Sequence, residues 1–351
     1  MLTNRLAAAL NKVNEGPPPV WMMRQAGRYH SHYQNIRQNH GFVEICKTPA
    51  LAAEVAIGPM EDFGFDAAIL FSDILFPLDV LGQPLTFSPG PQFSFLLKTK
   101  EDIARLSPPA EGAKVFEFQA EALRLTRARL GEDKGLIGFV GAPLTLFVFG
   151  VMGSHKHGIE DAITGLTDGR LEMFMEKMIP LLAGNMVLQA QALHPQKLEM
   201  LTLFDSCAGD IPGDLYKDIY LPYLQKVLAL FRDECPDTPV LYYGKGLGEN
   251  SLALLEDMPI QALGIDQDQD MPAMFARFGT RFALQGNFNP VALTWDEDVF
   301  EKEAQAFFHR MGQVPKALRK GWVCGLGHGV TPQAKEANVR RFVQIAQSFK
   351  G

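Results

Sequence analysis

The stretch PVWMMRQAGRYHSHY, residues 19–33, places two arginines beside a strand-like apolar run. The run VWMMR, residues 20–24, ends at Arg24, and Arg28 follows four residues later. A continuous apolar run, as opposed to an alternating one, is typical of a parallel strand that is buried on both faces. The stretch therefore predicts a buried strand whose end carries two permanent positive charges.

The same pattern recurs along the chain, because further apolar runs each end at a polar residue or a glycine. These runs are AAILFSD (67–73), LIGFVG (136–141), LEMLTLFDS (198–206), VLYYGK (240–245), ALGID (262–266), RFALQGN (281–287) and WVCGLGH (322–328). The longer segments between the runs have the apolar spacing of amphipathic helices. The sequence thus predicts buried strands that alternate with helices.

A Thr-Pro pair marks the start of two predicted helices. Thr48 is predicted as the N-cap of a helix whose first residue is Pro49, since threonine caps helices and proline fits their first turn. Thr331 and Pro332 predict the same kind of start for the final helix.

This alternation predicts a (β/α)8 TIM-type barrel of roughly 250 residues, distorted by an N-terminal arm and helical insertions. The surplus falls in the arm, in residues 74–110 and in residues 150–195. A doubly wound open sheet is the alternative, but no G-x-G-x-x-G follows the first strand, and GKGLG (244–248) is a single glycine-rich turn. Since no linker-like break in composition divides the chain, we expect a single barrel domain over residues 1–351.

The composition limits the classes of partner. A formal net charge of −7 disfavours nucleic acid and anionic membrane surfaces as partners. No window approaches the ~20 apolar residues of a membrane-spanning helix. The N-terminal stretch lacks the layout of a signal peptide, and the four cysteines include no C-x-x-C pair. Reduced thiols and a cytoplasmic location are therefore expected.

The barrel prediction brings the ends of the runs together at one mouth. In such barrels the active site lies at the C-terminal ends of the strands. The residues at the ends of the runs are Arg24, Asp73, Gly141, Asp205 with Ser206, Lys245, Asp266, Asn287 and His328. Nearly all of them carry side chains capable of chemistry, which predicts an active site at this mouth.

Several motifs follow one another in a fixed order along the chain. They are PVWMMRQAGR (19–28), FSDIL (71–75), GFVGAPLTL (138–146), FDSCAG (204–209), LQGNFNP (284–290) and GLGHG (325–329). Together they resemble the uroporphyrinogen decarboxylase family, whose signature Pro-x-Trp-x-Met-Arg-Gln-Ala-Gly-Arg is met at every fixed position. The resemblance implies a decarboxylase in haem biosynthesis that needs no cofactor or metal, on a distorted barrel that forms a homodimer.

The resemblance also implies a substrate, uroporphyrinogen III, whose four acetates become methyl groups in coproporphyrinogen III. Arginine stays charged and offers a planar fork of donors to carboxylates. Arg28 is therefore expected to bind substrate carboxylates, and Arg24 to position the reacting acetate. Asp73 is expected to accept hydrogen bonds from the pyrrole N–H groups and to stabilise the cation formed when a ring carbon is protonated. The alternative for each residue is a structural ion pair.

Three further substrate-binding residues are implied by the resemblance. His328, between two glycines, is expected to bind a carboxylate, and Ser206 is expected to donate its hydroxyl to another. Phe149 stands where the family has an active-site tyrosine. The alternatives are a structural histidine and a turn or cap serine. Arg37 matches a basic position of the family more loosely and could equally be a surface charge.

The sequence departs from the family pattern at several positions near these motifs. Leu144 replaces an aromatic residue, Phe149 the tyrosine, and Met152 an acid. Gln267 stands in place of a tryptophan, and Asn289 in place of an aspartate. These changes predict a diverged copy, with a slower reaction or a different substrate.

Two other functions remain open at this point. A diverged paralogue could bind or carry a tetrapyrrole without turning it over. The related corrinoid methyltransferases bind zinc, but they need His-x-Cys after a middle strand. The corresponding strand here ends in YYGKG, with Lys245 and no histidine or cysteine.

Overall fold

The computed structural model describes residues 4–87, 90–154 and 158–350. Its strands are β1 (Ala67–Ile69), β2 (Leu85–Phe87), β3 (Pro91–Phe93), β4 (Gly135–Gly141), β5 (Met200–Asp205), β6 (Val240–Gly244), β7 (Ala262–Gly264), β8 (Ala283–Phe288) and β9 (Trp322–Leu326). Strands β2 and β3 form an antiparallel hairpin, and the other seven form one parallel sheet in the order β1-β4-β5-β6-β7-β8-β9. Each sheet strand thus pairs with the next along the chain, as in a barrel.

Helices cover the outer face of this sheet. They are α1 (Arg5–Leu10), α2 (Ser31–Arg37), α3 (Phe42–Lys47), α4 (Pro49–Phe63), α5 (Phe76–Val80), α6 (Lys100–Ala104), α7 (Glu117–Arg129), α8 (Pro143–Met152), α9 (Glu160–Gly165), α10 (Arg170–Gln191), α11 (Gly213–Leu215), α12 (Leu221–Glu234), α13 (Glu249–Ala253), α14 (Met271–Phe278), α15 (Glu297–Gly312), α16 (Lys316–Arg319) and α17 (Glu336–Ser348). Every residue of β4 and of β9 is buried. The continuous apolar runs therefore arise because these strands are covered on both faces.

Residues 19–21 hydrogen-bond to both edges of the sheet. On the β9 side, the Cys324 amide donates to the Pro19 carbonyl at 2.8 Å, and the Trp21 amide donates to the Cys324 carbonyl at 3.2 Å. On the β1 side, the Asp66 amide donates to the Val20 carbonyl at 2.9 Å. This short segment takes the place of an eighth strand, so the prediction of a distorted (β/α)8 barrel is confirmed.

The first run is much shorter as a strand than the sequence predicts. Only Val20 pairs with the sheet, through an isolated parallel bridge to Cys324. The chain then turns, because the Gln25 amide donates to the Met22 carbonyl at 3.0 Å. Arg24 therefore lies in a turn and not at the end of a strand.

Two other predicted boundaries are wrong. The run 67–73 is a strand only as far as Ile69, so Asp73 lies in the loop beyond β1. The final helix begins at Glu336 and not at Thr331, because the Val330 amide bonds to the Met23 carbonyl at 2.9 Å and residues 331–334 form a turn. Tertiary hydrogen bonds thus override the local Thr-Pro signal there.

The earlier Thr-Pro signal is confirmed in position. Thr48 is the N-cap of α4 and Pro49 is its first residue, although the threonine side chain makes no capping hydrogen bond. The two predicted insertions contain the hairpin and α5–α6 in one case, and α9–α10 in the other. None of the described helices is long and apolar enough to cross a membrane.

Candidate active site

The predicted site residues lie beyond the carboxyl ends of the strands. Arg24 and Arg28 follow the closing segment 19–21, and Asp73 follows β1. Ser206 directly follows β5, and His328 lies two residues beyond β9. Since all the sheet strands are parallel, these residues belong to the loops of one end of the barrel.

Arg24 is held in an unusual backbone conformation. Its φ angle is 61°, in the left-handed region that residues other than glycine seldom adopt. The turn is fixed by the buried Gln25, whose side-chain oxygen accepts from the Met22 amide at 3.1 Å and whose side-chain nitrogen donates to the Ala67 carbonyl at 3.0 Å. Such strain is typical of functional positions, where the surrounding structure maintains it.

Arg24 and Arg28 differ from every other arginine in the chain. In the described part of the protein, each of the others donates a hydrogen bond or forms an ion pair through its guanidinium group. The guanidinium groups of Arg24 and Arg28 do neither with any described residue, and both side chains are exposed. The structural ion pair considered from the sequence is therefore absent for these two arginines among the described residues.

Protein atoms surround much of the Arg24 side chain. Although its side chain is reached by solvent, desolvation by the surrounding protein lowers the pKa of Arg24. The negative charge of Asp73 opposes this effect, and the positive charge of Arg28 adds to it. Asp73 and Arg28 therefore lie close enough to Arg24 to affect its ionisation, and we call the region around these three residues the recess.

Asp73 is half-buried beside this recess. Its Oδ1 accepts a hydrogen bond from the Leu75 amide at 2.8 Å, which fixes the carboxylate at the start of a turn. Desolvation raises the pKa of Asp73 to about 6, against the lowering effects of the Leu75 amide and of Arg24. A carboxylate with this pKa is mostly ionised at pH 7 and close to its titration range.

His328 faces the same recess from the loop after β9, the strand that borders the closing segment on the side away from β1. Desolvation and the positive charges of Arg24 and Lys245 lower the pKa of His328, whereas the charge of Asp266 raises it. The ring is therefore mostly neutral at pH 7, and a neutral imidazole can donate one N–H to a carboxylate.

Ser206 is half-buried and lies on a turn. The preceding residue, Asp205, fixes this turn through hydrogen bonds on the outer face of the sheet. The Asp205 carboxylate accepts hydrogen bonds from the hydroxyls of Thr145, Tyr220 and Tyr242, each at 2.7 Å. Burial raises the pKa of Asp205, and these three donors act against that rise. Asp205 is thus directed away from the mouth, contrary to its placement in the predicted ring.

The alternation of side chains along β5 could have predicted that Asp205 points away from the mouth. Successive side chains of a strand point to opposite faces, and Phe204 contacts Phe139 and Tyr243 with ring centroids 5.5 and 6.4 Å apart. With Phe204 on the inner face, Asp205 must lie on the outer one. A π-helical turn, Tyr216–Tyr220, ahead of α12 brings the tyrosine donor to it.

Three of the departures from the family pattern, Leu144, Phe149 and Met152, lie in α8. Phe149 is half-buried and packs against the hydrophobic core, whereas Leu144 is fully inaccessible to solvent. The change at Leu144 is therefore a change in core packing. Arg37 is exposed, and its guanidinium donates to the carbonyl of His40, which is the surface-charge alternative considered from the sequence.

Sequence reasoning missed a pair of residues that joins the loops of the mouth. The Tyr243 hydroxyl donates to Asp266 Oδ1 at 2.6 Å and lies 2.9 Å from the Gly327 carbonyl oxygen. The other oxygen of Asp266 accepts from the Gly246 amide. This pair, which we call the Tyr243–Asp266 clasp, connects the loops after β6, β7 and β9, and so fixes the backbone beside Lys245 and His328.

A metal site would need several ligand side chains close together. Across residues 4–87, 90–154 and 158–350, no three His, Cys, Asp or Glu side chains are grouped so that they could hold a metal ion. The four cysteines are buried and separate.

Known proteins resemble this chain over nearly its whole length. Residues 1–349 match the family model "Uroporphyrinogen decarboxylase (URO-D)". A uroporphyrinogen decarboxylase of Roseiflexus sp. (strain RS-1) is 33% identical over 359 residues, covering 99% of each chain. That of Methylococcus capsulatus is 34% identical over 335 residues, covering 94% of this chain and 93% of the relative.

Solved structures agree on the fold. A methyltransferase from Methanosarcina mazei superposes with a TM-score of 0.73 at 17% identity, covering 100% of this chain and 99% of the other. A B12-independent methionine synthase from Shewanella sp. W3-18-1 gives a TM-score of 0.53 at 11% identity, covering 95% of each chain. At these identities the likeness concerns the fold alone.

Proposed function

This chain belongs to the uroporphyrinogen decarboxylase family, and we propose that it is a carboxy-lyase acting on uroporphyrinogen III in tetrapyrrole biosynthesis. Its product is coproporphyrinogen III, in which the four acetates have become methyl groups. The observation that supports this most directly is the pair Arg24 and Arg28, two permanent charges at the mouth without a described partner. A substrate with eight carboxylates supplies what these charges lack.

The reaction needs an electron sink, which an acetate on a pyrrole does not have. Protonation of the ring carbon that bears the acetate creates an iminium-like cation. Cleavage of the bond between the methylene and the carboxylate returns the electron pair to the ring system and releases CO2. Protonation of the exocyclic carbon then forms the methyl group, and loss of the ring proton restores the pyrrole. Each acetate thus consumes one proton overall.

Asp73 supports the cationic step. An ionised carboxylate in the recess accepts hydrogen bonds from the pyrrole N–H groups and opposes the positive charge that develops on the ring. Its interaction is stronger with the cation than with the neutral ring, which is the condition for catalysis. The pKa of about 6 keeps most of the carboxylate ionised at pH 7.

The other residues bind and orient. Arg24 positions the reacting acetate, since an arginine is too weak an acid to be a good proton donor at neutral pH, even with the lowered pKa. Arg28, Ser206 and His328 hold other carboxylates of the substrate, and Phe149 lines the site as an apolar wall. The whole chain acts as one barrel domain, without a metal or an organic cofactor, as a cytoplasmic homodimer.

A second candidate is an altered-substrate or non-catalytic paralogue that binds a tetrapyrrole. It is favoured by one observation: Phe149 lies in α8 where the family has a tyrosine, which removes a hydroxyl from the site. The zinc methyltransferase considered from the sequence has no such support, because Lys245 occupies the position where that class needs its ligands.

The two candidates are separated by anaerobic incubation with uroporphyrinogen III. We expect products with seven, six, five and four carboxylates, ending in coproporphyrinogen III. Arg28→Met should raise KM at least tenfold, because a charged hydrogen-bond partner of the substrate is lost. Arg341→Met, which removes an arginine paired with Glu301 on the outer surface, is the matched control and should leave KM unchanged. Tight binding of the substrate without any loss of carboxylates would favour the non-catalytic paralogue.

A further inference from the structure

Lys245 occupies a fixed position at the mouth of the barrel. It directly follows β6, and its side chain is half-buried. Its amide donates to the Asp205 carbonyl at 3.0 Å, and its carbonyl accepts from the Gly209 amide at 2.8 Å. The backbone of this lysine is therefore held by the neighbouring strand and loop, without any help from its own side chain.

The charge of Lys245 reaches two other loops of the site. It lowers the pKa of His328, which lies beyond β9. Burial raises the pKa of Cys207, whose neighbour in the chain is Ser206, and the charge of Lys245 acts against that rise. The ammonium group therefore lies within electrostatic range of the loop that carries the serine and of the loop that carries the histidine.

This ammonium group has no counter-ion among the described residues. No described carboxylate lies within ion-pair distance of Lys245 Nζ, and no described group accepts a hydrogen bond from it. Asp266 is the carboxylate of the adjacent loop, but its two oxygens accept from the Tyr243 hydroxyl and the Gly246 amide. The Tyr243–Asp266 clasp thus satisfies the acid of the adjacent loop and leaves the lysine charge uncompensated.

The sheet order places Lys245 across the mouth from the arginines. If residues 19–21 are counted as the first position of the barrel, then β1, β4 and β5 follow and β6 is the fifth of eight. Positions one and five are diametrically opposed in a barrel of this size. A ring-shaped substrate with carboxylates around its whole edge would meet Arg24 on one side and Lys245 on the other.

We infer that Lys245 binds a carboxylate of the substrate and forms, with Ser206 on the neighbouring loop after β5, a second anion subsite opposite Arg24 and Arg28. This inference rests on the proposed function and adds to it the residue that receives the far side of the tetrapyrrole. The serine donates a hydrogen bond, and the lysine supplies the charge. The subsite binds and orients a carboxylate that does not react in that turnover.

Charge and shape can be separated by two substitutions at this position. Lys245→Met removes the ammonium group and keeps most of the side-chain length, whereas Lys245→Arg keeps a positive charge. Lys302→Met is the control, because Lys302 is an exposed lysine on α15 that also has no partner among the described residues. The binding probe is uroporphyrin, the oxidised form that cannot react, followed by fluorescence quenching. Turnover of uroporphyrinogen III is measured in parallel under anaerobic conditions.

We expect Lys245→Met to weaken uroporphyrin binding and raise KM at least tenfold, while kcat stays within about threefold. Lys245→Arg and Lys302→Met should bind within about threefold of wild type. The unfolding temperature should not change in Lys245→Met, since Nζ makes no bond to the described protein. Loss of binding together with a lower unfolding temperature would overturn the inference, because it would indicate a structural lysine.

The experiment distinguishes a wrong inference about Lys245 from a wrong proposed function. If wild type decarboxylates uroporphyrinogen III and Lys245→Met has the wild-type KM, the subsite is refuted and the proposed function stands. If wild type neither binds uroporphyrin nor releases CO2 from uroporphyrinogen III, the proposed function is refuted and the inference is refuted with it. A large fall in kcat with unchanged KM would also overturn the inference, since it would place Lys245 in the chemical step.

Discussion

The side chain of Arg24 runs directly over Gly329. A β-carbon at Gly329 would lie 2.7 Å from Cδ of Arg24 and 3.0 Å from its Cγ, well inside van der Waals contact. Gly329 follows His328, so the absence of a side chain lets the loop after β9 and the strained turn of Arg24 pack together. The placement of the Arg24 guanidinium group and the His328 ring in the recess therefore depends on this close approach.

Gly329→Ala should impair the site more than the fold. The added methyl group meets only the flexible part of an arginine side chain, so Arg24 can move aside at a small cost in stability. The guanidinium group would then leave its position, and kcat/KM for uroporphyrinogen III should fall about 10- to 100-fold, equivalent to about 1.4–2.8 kcal/mol. Steady-state kinetics and thermal unfolding measure the two effects.

Gly248→Ala is the control for this substitution. Gly248 also lies near the mouth, at the N-cap of α13, and a β-carbon there would meet nothing within 4 Å. It should leave kcat/KM within about twofold of wild type. Equal effects of the two substitutions would show that the contact with Arg24 is irrelevant to activity.

Asp73 should give the enzyme an acidic limb in its pH profile. If the ionised carboxylate stabilises the cationic intermediate, kcat/KM should fall as the pH drops through about 6, where Asp73 of the free enzyme gains a proton. Asp73→Asn should lose this limb and lower kcat about 10²- to 10³-fold, with a smaller change in uroporphyrin binding. A profile of kcat/KM that keeps its limb in the variant would assign that titration to another group.

The same pKa has a consequence for stability. Because the pKa of Asp73 is raised above its unfolded value of 3.8, the folded protein holds this proton more tightly between about pH 4 and pH 6. The contribution of Asp73 to folding therefore declines as the pH rises through that range. The difference in unfolding free energy, Asp73→Asn minus wild type, should therefore be about 1–2 kcal/mol larger at pH 7 than at pH 4. Denaturant titration at the two pH values measures this difference.

Much of the fold can be predicted from the sequence. Parallel strands with both faces covered produce continuous apolar runs. Seven of the eight predicted runs, all except residues 20–24, contain strands whose ends differ from the predicted ends by only a few residues. The first run differs in kind, because a closing segment hydrogen-bonded to both edges needs only one paired residue. Its apolar character reflects burial, which a strand and a buried turn share.

The site is harder to predict, because it depends on which face a side chain occupies and on what surrounds it. Asp205 and Ser206 adjoin in sequence, but one lies behind the strand among hydroxyls and the other at the mouth. The Tyr243–Asp266 clasp joins residues 23 positions apart in the chain, and no local motif marks it. The unpaired state of Arg24 and Arg28 is a tertiary property, and only the structure shows that their described neighbours leave them free.

Tyr243 should act as a positioning residue. Tyr243→Phe removes the hydroxyl that bonds to Asp266 and so loosens the loops beside Lys245 and His328. We expect KM to rise about three- to tenfold with little change in kcat. In Lys245→Met the same substitution should have a smaller effect, because part of its action passes through the lysine. A double-mutant cycle on KM measures this coupling, and strictly additive effects would contradict it.

Tyr242→Phe is a useful comparison for the clasp. Its hydroxyl bonds to the buried Asp205 on the outer side of the sheet. Loss of a hydrogen bond to a buried carboxylate should lower the unfolding free energy by about 1–3 kcal/mol. We expect this variant to lose mainly stability, whereas Tyr243→Phe loses mainly substrate affinity.

Phe149→Tyr should raise turnover if the missing hydroxyl limits this copy. The substrate acetate or Arg24 would serve as the partner of the added oxygen, and the gain should appear in kcat more than in KM. Single-turnover product formation by the two proteins is the measurement. If the chain acts on another polyacid tetrapyrrole, the unpaired hydroxyl should cost roughly 1–3 kcal/mol and the rate should be unchanged or lower.

Decarboxylation without a metal is tested most directly by product analysis after anaerobic incubation of the purified wild-type protein with uroporphyrinogen III, before and after exhaustive chelation and dialysis. We expect stepwise loss of carboxylates from eight to four, release of one CO2 for each acetate, and equal rates in the two preparations. An undiminished count of eight carboxylates, or activity that returns only when a metal is added, would contradict the proposed function.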